Sequence, residues 1–228
     1  SAAAIIILTL LVFWKKMLLG QFVGDDFIFL EKVSTFGFSP KNLASFGIFH
    51  IYHNTLLLAT GFRPLPLALW VLLYKGFGME PAWYHGAILI MHAGNAILMY
   101  FLIRKLFPQA VALASACIFA VFTGHIEAVQ WISGFFDVLC VFFFLLSVLL
   151  FVDFLENKSR WRYFWSVLFG FLAILSKETA VTLPLVLAFL CYWRYHENES
   201  RASSPMSAIR PAIPFFFIFG AYLLIRRI

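Results

Sequence analysis

Long apolar runs alternate with short polar segments along most of this chain of 228 residues. A helix that crosses a bilayer needs about 20 mostly apolar residues, and several runs approach that length. The pattern therefore predicts seven membrane-spanning helices, at 2–20, 83–104, 109–124, 136–155, 162–176, 179–194 and 211–226. Between the first two lies a half-apolar segment, 21–82, which we expect to form a long first loop on the outer side of the membrane.

The composition supports a membrane protein and excludes other classes. Hydrophobic residues make up 63% of the chain and charged residues 12%, whereas soluble domains carry about 25% charged residues. An outer-membrane barrel is excluded because its strands need an alternating pattern. The formal net charge is +6, but no basic and aromatic cluster indicates binding to nucleic acid. We expect an all-α, polytopic helical membrane protein with a single transmembrane domain over 1–228.

Basic residues predict the orientation of the helices. Lys and Arg concentrate in cytoplasmic loops, and here they follow three predicted spans, at 104–105, 158–162 and 194–210. These segments share one side if each predicted span crosses once, so we assign that side to the cytoplasm. The loop at 21–82 then faces the periplasm or an organelle lumen.

A shorter apolar run lies inside the predicted outer loop, at 65–77. It follows Pro64, and proline is tolerated in the first turn of a helix. We expect a helix along the outer membrane surface. The alternative is a true span, which would reverse every later helix. His50 and His53 have the spacing of a helical zinc pair, but no further ligand is apparent, so a metal site stays unknown.

Charged side chains gather at the outer ends of the predicted spans, although charges are costly near a bilayer. They come from four separate stretches of the chain and are expected at a similar depth: Asp25, Asp26, Arg63, His125, Glu127, Asp137, Lys177 and Glu178. A pocket that combines carboxylates and cations at the membrane boundary can bind an anionic lipid headgroup and act on it.

Several of these residues also have a structural interpretation. The pair Asp25 and Asp26 is compatible with a solvated helix end. Glu127 and Asp137 are ten residues apart and would return to nearly one helical face, while Asp137 can also cap the apolar helix that follows it. Lys177 either binds a phosphate or belongs to a simple loop or to a buried pair with Glu178.

Three further polar residues lie near one stripe of the second predicted span, at His85, His92 and Asn95. Polar groups on a membrane helix commonly form hydrogen bonds to a neighbouring helix. We therefore expect these side chains to stabilise helix packing.

The motifs occur in a specific order: Asp25-Asp26, Phe62-Arg63-Pro64-Leu65, Tyr84-His85 through His92 to Asn95, His125-Ile126-Glu127-Ala128-Val129, Asp137-Val138-Leu139, and Leu175-Ser176-Lys177-Glu178 leading into Leu183-Pro184. This series resembles the GT-C superfamily of polytopic glycosyltransferases. The nearest relatives are the membrane proteins with tetratricopeptide repeats that transfer mannose to protein hydroxyls, and their bacterial homologues. The resemblance covers about three quarters of the chain.

The chain departs from the family pattern at two places. The family often shows His-Pro before the His-x-Glu segment, where Phe122 and Thr123 stand here. It often places a basic residue shortly before the acid matching Asp137, where this chain has Phe135 and Phe136. No tetratricopeptide repeat is present in the chain.

The resemblance implies a donor, an acceptor and a set of residue roles. The first outer loop of such enzymes carries an acidic catalytic base, here Asp25 or Asp26. The donor is a sugar joined to polyprenyl or dolichyl phosphate, and the acceptor is a hydroxyl of a protein, lipid or glycan. Transfer inverts the anomeric centre. Cations must neutralise the charge that develops on the leaving phosphate, so we expect Lys177 and Arg63 to bind the donor phosphate, with His125, Glu127, Asp137 and Glu178 in acceptor or supporting roles.

The remaining expectations concern the membrane in which the protein lies, its partners and cofactors, and two alternative functions. We expect an N-terminal part of a longer GT-C module, in the bacterial inner membrane or, in a eukaryote, the endoplasmic reticulum, with its active site facing the periplasm or lumen. Membrane lipids are partners, no cofactor is required, and a divalent metal stays open. One alternative is a transporter or flippase of an anionic lipid-linked substrate, but neither repeated halves nor broken helices are visible. Another is an inactive subunit with the same fold.

Overall fold

The computed structural model describes residues 2–35, 63–197 and 205–227, and helices dominate these ranges. The helices are α1 (Ala2–Leu19), α2 (Asp26–Thr35), α3 (Pro64–Phe77), α4 (Pro81–Leu106), α5 (Gln109–Val121), α6 (Ile126–Gln130), α7 (Phe135–Asn157), α8 (Arg160–Ser176), α9 (Leu183–Glu197), α10 (Pro205–Ile209) and α11 (Ile213–Arg227). Single 3₁₀ turns cover Thr123–His125, Ile132–Gly134, Glu178–Thr182 and Arg210–Ala212. No strand occurs in the described ranges, which confirms the all-α class. The centre of the predicted outer loop, with His50 and His53, lies outside them.

Four helical segments of the described chain are long and apolar enough to cross a membrane, at Ala2–Leu19, Pro81–Leu106, Ile132–Asn157 and Met206–Leu224. A fifth results if α5 and the segment Thr123–Gln130, which are bent by 45°, form one broken span. The two other predicted spans correspond to α8 and α9, which have 17 and 15 residues. A polytopic helical membrane protein is therefore confirmed, while the count of seven spans stays a prediction.

Local sequence explains where several helices begin and end. α3 and α4 start with Pro64 and Pro81, where the missing N–H of proline has no helical partner to lose. α7 is followed by Lys158, its C-cap, which adopts the left-handed conformation with φ of 53° and donates its N–H to the Phe154 carbonyl at 2.8 Å. α3 has 14 residues, or about 21 Å, and its orientation along the membrane stays a prediction.

The helices around α4 and α7 are joined by small residues and paired hydroxyls. Ala112, Ala116 and Ala120 of α5 are fully buried in a cluster with residues of α1 and α4, and such small side chains allow close helix approach. Ser147 of α7 and Ser166 of α8 each donate a hydroxyl to the other's backbone carbonyl, at 2.7 and 2.8 Å. These contacts fix the helices that form the walls of the site.

The ends of α4, α7 and α9 meet in a network of ion pairs. Lys105 contacts Asp153 and Glu156, and Arg194 contacts Glu156 at 2.8 Å. Arg162 lies 3.7 Å from Asp153, so parts of all three basic segments share one end of the bundle, as the sequence predicts. That this end is cytoplasmic stays a prediction.

The chain between α5 and α7 departs from a continuous helix. Trp131 is extended, and a Cβ on Gly134 would lie 2.7 Å from the Ala128 carbonyl oxygen, so only glycine permits this close backbone approach. The expectation that Glu127 and Asp137 share one helical face is therefore wrong. The chain also bends by 45° after Val121, a break that the sequence pattern did not predict.

Candidate functional site

A cavity of about 540 Å³ collects most of the residues that the sequence singles out. Six of the eight predicted site residues line it: Asp25, Arg63, His125, Glu127, Asp137 and Lys177. Glu178 lies behind Arg63 as its ion-pair partner. Asp26 does not line the cavity and is fully buried next to it. Segments far apart in the sequence therefore converge on one space.

Arg63, directly before α3, is held by groups from two other helices. Its Nε and Nη2 donate to the two carboxylate oxygens of Glu178, at 2.9 and 2.6 Å. Its guanidinium carbon lies 5.8 Å from the ring centre of Phe136, within the range of a cation–π contact. This bidentate pair fixes the guanidinium at the cavity wall, and the ring of Phe136 packs against it.

Lys177 follows the last residue of α8 and pairs with α7. Its Nζ donates to both carboxylate oxygens of Asp137 at 2.6 Å. Asp137 lies in the first turn of α7, whose N-cap is Gly134, so the predicted capping role of Asp137 is wrong. A carboxylate is still favourable there, since it faces the positive end of the helix dipole. Lys177 thus pairs with Asp137 rather than with Glu178.

The described part of the cavity wall carries an excess of negative charge. Asp25, Glu127, Asp137 and the adjoining Glu178 oppose Arg63 and Lys177, which gives a formal sum of −2 from four carboxylates and two cations. The N–H groups of the two cations that the carboxylates leave unused are the positively charged donors available to an anion in this cavity. Both cations have such groups, because a guanidinium and an ammonium carry more N–H donors than one carboxylate uses.

The two adjacent aspartates have different surroundings. Gly24 adopts φ of +54°, a conformation that glycine reaches at little cost, and the turn places half-buried Asp25 at the cavity. Asp26 turns inward, where its carboxylate accepts hydrogen bonds from the Val23 N–H at 2.9 Å and from both the N–H and the hydroxyl of Ser133. The Trp131 indole N–H also donates to the Val23 carbonyl.

Burial of the Asp26 carboxyl raises its pKa above the usual 3.8, while the hydrogen bonds from Ser133 and Val23 oppose the rise and the neighbouring Asp25 adds to it. A carboxyl with a raised pKa contributes stability that is complete below about pH 3.8 and is lost as the pH rises through its folded-state pKa. Ser133, a residue that no sequence motif marks, therefore connects the turn bearing Asp25 to the segment before α7.

Replacing Ser133 by Ala is expected to loosen the turn that carries Asp25. The variant loses a hydrogen bond to the Asp26 carboxylate, so the folded-state pKa of Asp26 rises further. The thermal midpoint in detergent should fall by about 2–4 °C, and the deficit relative to wild type should be larger at pH 8 than at pH 5. Ser34→Ala is the control, since that exposed hydroxyl donates only to the Glu31 carbonyl of its own helix. A deficit that is independent of pH would contradict the coupling to Asp26.

Two imidazoles occupy the break after α5. His92 Nε2 lies 3.1 Å from the Ala120 carbonyl and His125 Nδ1 lies 3.0 Å from the Phe119 carbonyl. Since a carbonyl only accepts, each of these nitrogens carries a proton. The imidazoles satisfy carbonyls that a continuing helix would otherwise use. His92, which was predicted to support helix packing, and His125, which was predicted as a site residue, therefore both stabilise the broken segment.

The cavity also reaches residues that were not predicted as part of the site. His92 and Asn95 of α4 line it and are almost completely buried, and Asn95 donates to the Val138 carbonyl of α7 at 2.9 Å. The stripe they form on the second predicted span was the available signal. Within the described residues, no group of three or more His, Cys, Asp or Glu side chains is arranged to hold a metal ion.

The family model and the related proteins that match this chain are all described as mannosyltransferases. Residues 65–222 match the family described as dolichyl-phosphate-mannose-protein mannosyltransferase. The chain is 32% identical over 130 residues to the protein O-mannosyl-transferase Tmtc1 of Drosophila melanogaster, which covers 57% of this chain and 15% of that protein. It is 30% identical over 187 residues to the protein O-mannosyl-transferase tmtc2 of Xenopus laevis, which covers 75% of this chain and 22% of that protein.

A human relative matches this chain with similar identity and over a similarly small part of its own length. The protein O-mannosyl-transferase TMTC4 of Homo sapiens is 32% identical over 145 residues, or 54% of this chain and 19% of that protein. The chain thus spans less than a quarter of the length of these relatives. No solved structure matches the chain.

Proposed function

Because the chain belongs to the dolichyl-phosphate-mannose-protein mannosyltransferase family, we propose that it forms the active-site cavity of a membrane mannosyltransferase with a lipid-linked donor. The membership agrees with the resemblance to polytopic GT-C glycosyltransferases that the ordered motifs carry. One observation supports the activity most strongly: Asp25, Arg63 and Lys177 line a single cavity. Transfer from a phosphate-linked sugar needs a base and groups that stabilise a departing phosphate, and the carboxylate and the two cations of this cavity are of the right chemical types for these roles.

Asp25 acts as the catalytic base in this proposal. A hydroxyl is a poor nucleophile until its proton is removed, and a carboxylate within hydrogen-bond reach can remove it. The acceptor oxygen then forms a bond to the anomeric carbon while the bond from that carbon to the phosphate oxygen breaks. The proton passes to Asp25 and the bonding electron pair leaves with the phosphate. Attack from the face opposite the phosphate inverts the anomeric centre.

Lys177 and Arg63 stabilise the departing phosphate. Negative charge grows on the bridging oxygen as the bond breaks, and fixed N–H donors aimed at that position lower the barrier. Asp137 and Glu178 hold the two cations in place through the ion pairs described above. Fixed orientation reduces the reorganisation that the reaction requires. Asp26 supports the turn bearing Asp25, while His125 and Glu127 face the acceptor side of the cavity.

The donor in this proposal is mannose joined to dolichyl or polyprenyl phosphate, whose apolar chain lies between helices. The acceptor is a protein hydroxyl, since the relatives are named protein O-mannosyl-transferases, with lipid and glycan hydroxyls as alternative acceptors. We place the protein in the endoplasmic reticulum membrane of a eukaryote or the inner membrane of a bacterium. The cavity faces the lumen or periplasm, and the reaction as written requires no metal.

A reconstituted transfer assay tests the proposal. The full-length protein in proteoliposomes would receive radiolabelled polyprenyl-phosphate mannose and a Ser- and Thr-containing acceptor peptide. We expect label on the peptide, with Glu80→Gln as the control variant because Glu80 is exposed and makes no side-chain cap bond to α4. Absence of transfer to protein, lipid and glycan acceptors would contradict the enzyme and favour an inactive subunit.

A lipid flippase is the second candidate, because the bent segment Gln109–Val121 and Thr123–Gln130 is the kind of interrupted helix that transporters use. The same vesicles distinguish it from the enzyme. Movement of labelled lipid from one leaflet to the other without transfer of sugar would support the flippase.

A further inference from the structure

An amide on the cavity wall has an acceptor atom that the described residues leave unpaired. Asn95 lines the cavity, and only 1% of its surface is exposed. Its Nδ2 donates to the Val138 carbonyl at 2.9 Å. Its Oδ1 is buried and receives no hydrogen bond from the described residues. The orientation of the amide follows from chemistry, since the Val138 carbonyl can only accept and must therefore face the NH₂ group.

A buried acceptor without a donor is costly. Leaving such a group unpaired destabilises the unliganded protein, and buried polar groups in proteins are nearly always paired. A ligand that brings a donor to Oδ1 therefore recovers this free energy when it binds. The unpaired atom is thus a feature that a substrate can use.

The neighbouring groups define which ligand fits. His92 lies one turn before Asn95 on α4, and its protonated Nε2 faces the Ala120 carbonyl, so the other nitrogen of the neutral ring is an acceptor. Phe119, Val138 and Val141 add apolar surface to the same cavity. This wall offers acceptors in an apolar setting, which suits a neutral hydroxyl and disfavours a phosphate, since a phosphate is anionic and brings no donor.

Neighbouring residues of α7 hold both Lys177 and Asn95. Asp137, which holds Lys177, directly precedes Val138, which holds Asn95, in the first turn of α7. Lys177 and Asn95 line the same cavity, so a sugar attached to a phosphate at Lys177 can extend toward Asn95. We propose that Asn95 Oδ1 accepts a hydrogen bond from one hydroxyl of the donor sugar and selects the sugar by that hydroxyl. The inference rests on the proposed function, because it takes the donor phosphate to bind at Lys177.

Binding of deoxy-sugar donors tests this role. The probes are polyprenyl-phosphate mannose and its analogues lacking the hydroxyl at position 2, 3, 4 or 6, which compete with the radiolabelled donor on the full-length protein. The wild type should bind one analogue about 10- to 100-fold more weakly than the mannosyl donor. In Asn95→Leu the ratio of the dissociation constant of that analogue to that of the mannosyl donor should fall to about one. The corresponding ratios for the other three analogues should stay as in the wild type. Each ratio is taken within one variant, so it does not depend on the fraction of folded protein.

The control is Asn157→Leu, an exposed asparagine at the end of α7 whose amide donates to the Asp153 carbonyl, and it should keep the wild-type ratios. If Asn95→Leu keeps all four wild-type ratios, or if no analogue is discriminated by the wild type, the inference is overturned. A transfer assay on the same samples reports separately on the proposed function: discrimination without transfer supports Asn95 as a ligand and rejects the enzyme. Absence of any donor binding would reject both.

Discussion

Asp25→Asn is expected to lower the rate of mannose transfer by about a thousandfold, within the range for loss of a general base. The amide cannot accept the hydroxyl proton, yet it has nearly the shape of the carboxylate. Asp25 is half-buried at the cavity, and its backbone carbonyl accepts the N–H groups of Ile28 and Phe29, contacts that the substitution retains. Initial rates with radiolabelled donor measure the loss of catalysis, and the thermal midpoint of each variant in detergent measures any loss of stability.

Asp26→Asn should give a different result. The substitution keeps one oxygen for Ser133 but turns an NH₂ group toward the Val23 N–H. In the wild type this N–H donates to the Asp26 carboxylate, so the variant places two donors against each other. We expect a lower thermal midpoint and a smaller loss of rate, because Asp25 is displaced rather than removed. Wild-type transfer by Asp25→Asn together with inactive, stably folded Asp26→Asn would show that the base is the other carboxylate.

Lys177→Met is expected to reduce kcat/KM for the donor by about a hundredfold, comparable to the loss of one transition-state donor. The substitution removes the ammonium that faces the phosphate and leaves the Asp137 carboxylate, 39% exposed, without its cation. Because the ion pair is partly solvated, its contribution to stability should stay at or below about 1 kcal/mol. The measurement is a donor titration at saturating acceptor, with the thermal midpoint followed in parallel.

The double variant Lys177→Met with Asp137→Asn separates binding from structure. Neutralising both members removes the unpaired carboxylate, so stability should return toward the wild-type value while transfer stays low. Lys75→Met, an exposed lysine in the last turn of α3 that does not line the cavity, is the control for loss of a cation. If the double variant regains wild-type transfer, Lys177 only balances the charge of Asp137.

The convergence of the site could be predicted because charge is rare and costly in this chain. With 12% charged residues, acids and bases kept at the ends of apolar runs have few roles, and Asp25, Arg63 and Lys177 do line one cavity. The helix pattern also followed from continuous apolar runs, because such runs bury well only as helices in lipid. The family match begins at residue 65, so the place of Asp25 and Arg63 in the site rests on the motif order and on the geometry.

Other features depend on contacts that no local pattern encodes. The different environments of Asp25 and Asp26 arise from the turn at Gly24 and from Ser133, which is 107 residues away from Asp26 in sequence. The relation of Glu127 to Asp137 was misjudged because the close approach at Gly134 interrupts the helix. Arg63 meets Glu178 across 115 residues, and pairing at that range is decided by how the helices pack.

The most direct measurement of the central claim is a cryo-EM structure of the full-length protein with a phosphonate analogue of polyprenyl-phosphate mannose, which cannot release its sugar. The account predicts the phosphonate within about 3 Å of an N–H group of Lys177 or Arg63, with Asp25 on the opposite side of the anomeric carbon. A phosphonate bound outside this cavity, or bound with the anomeric carbon turned away from Asp25, would contradict it.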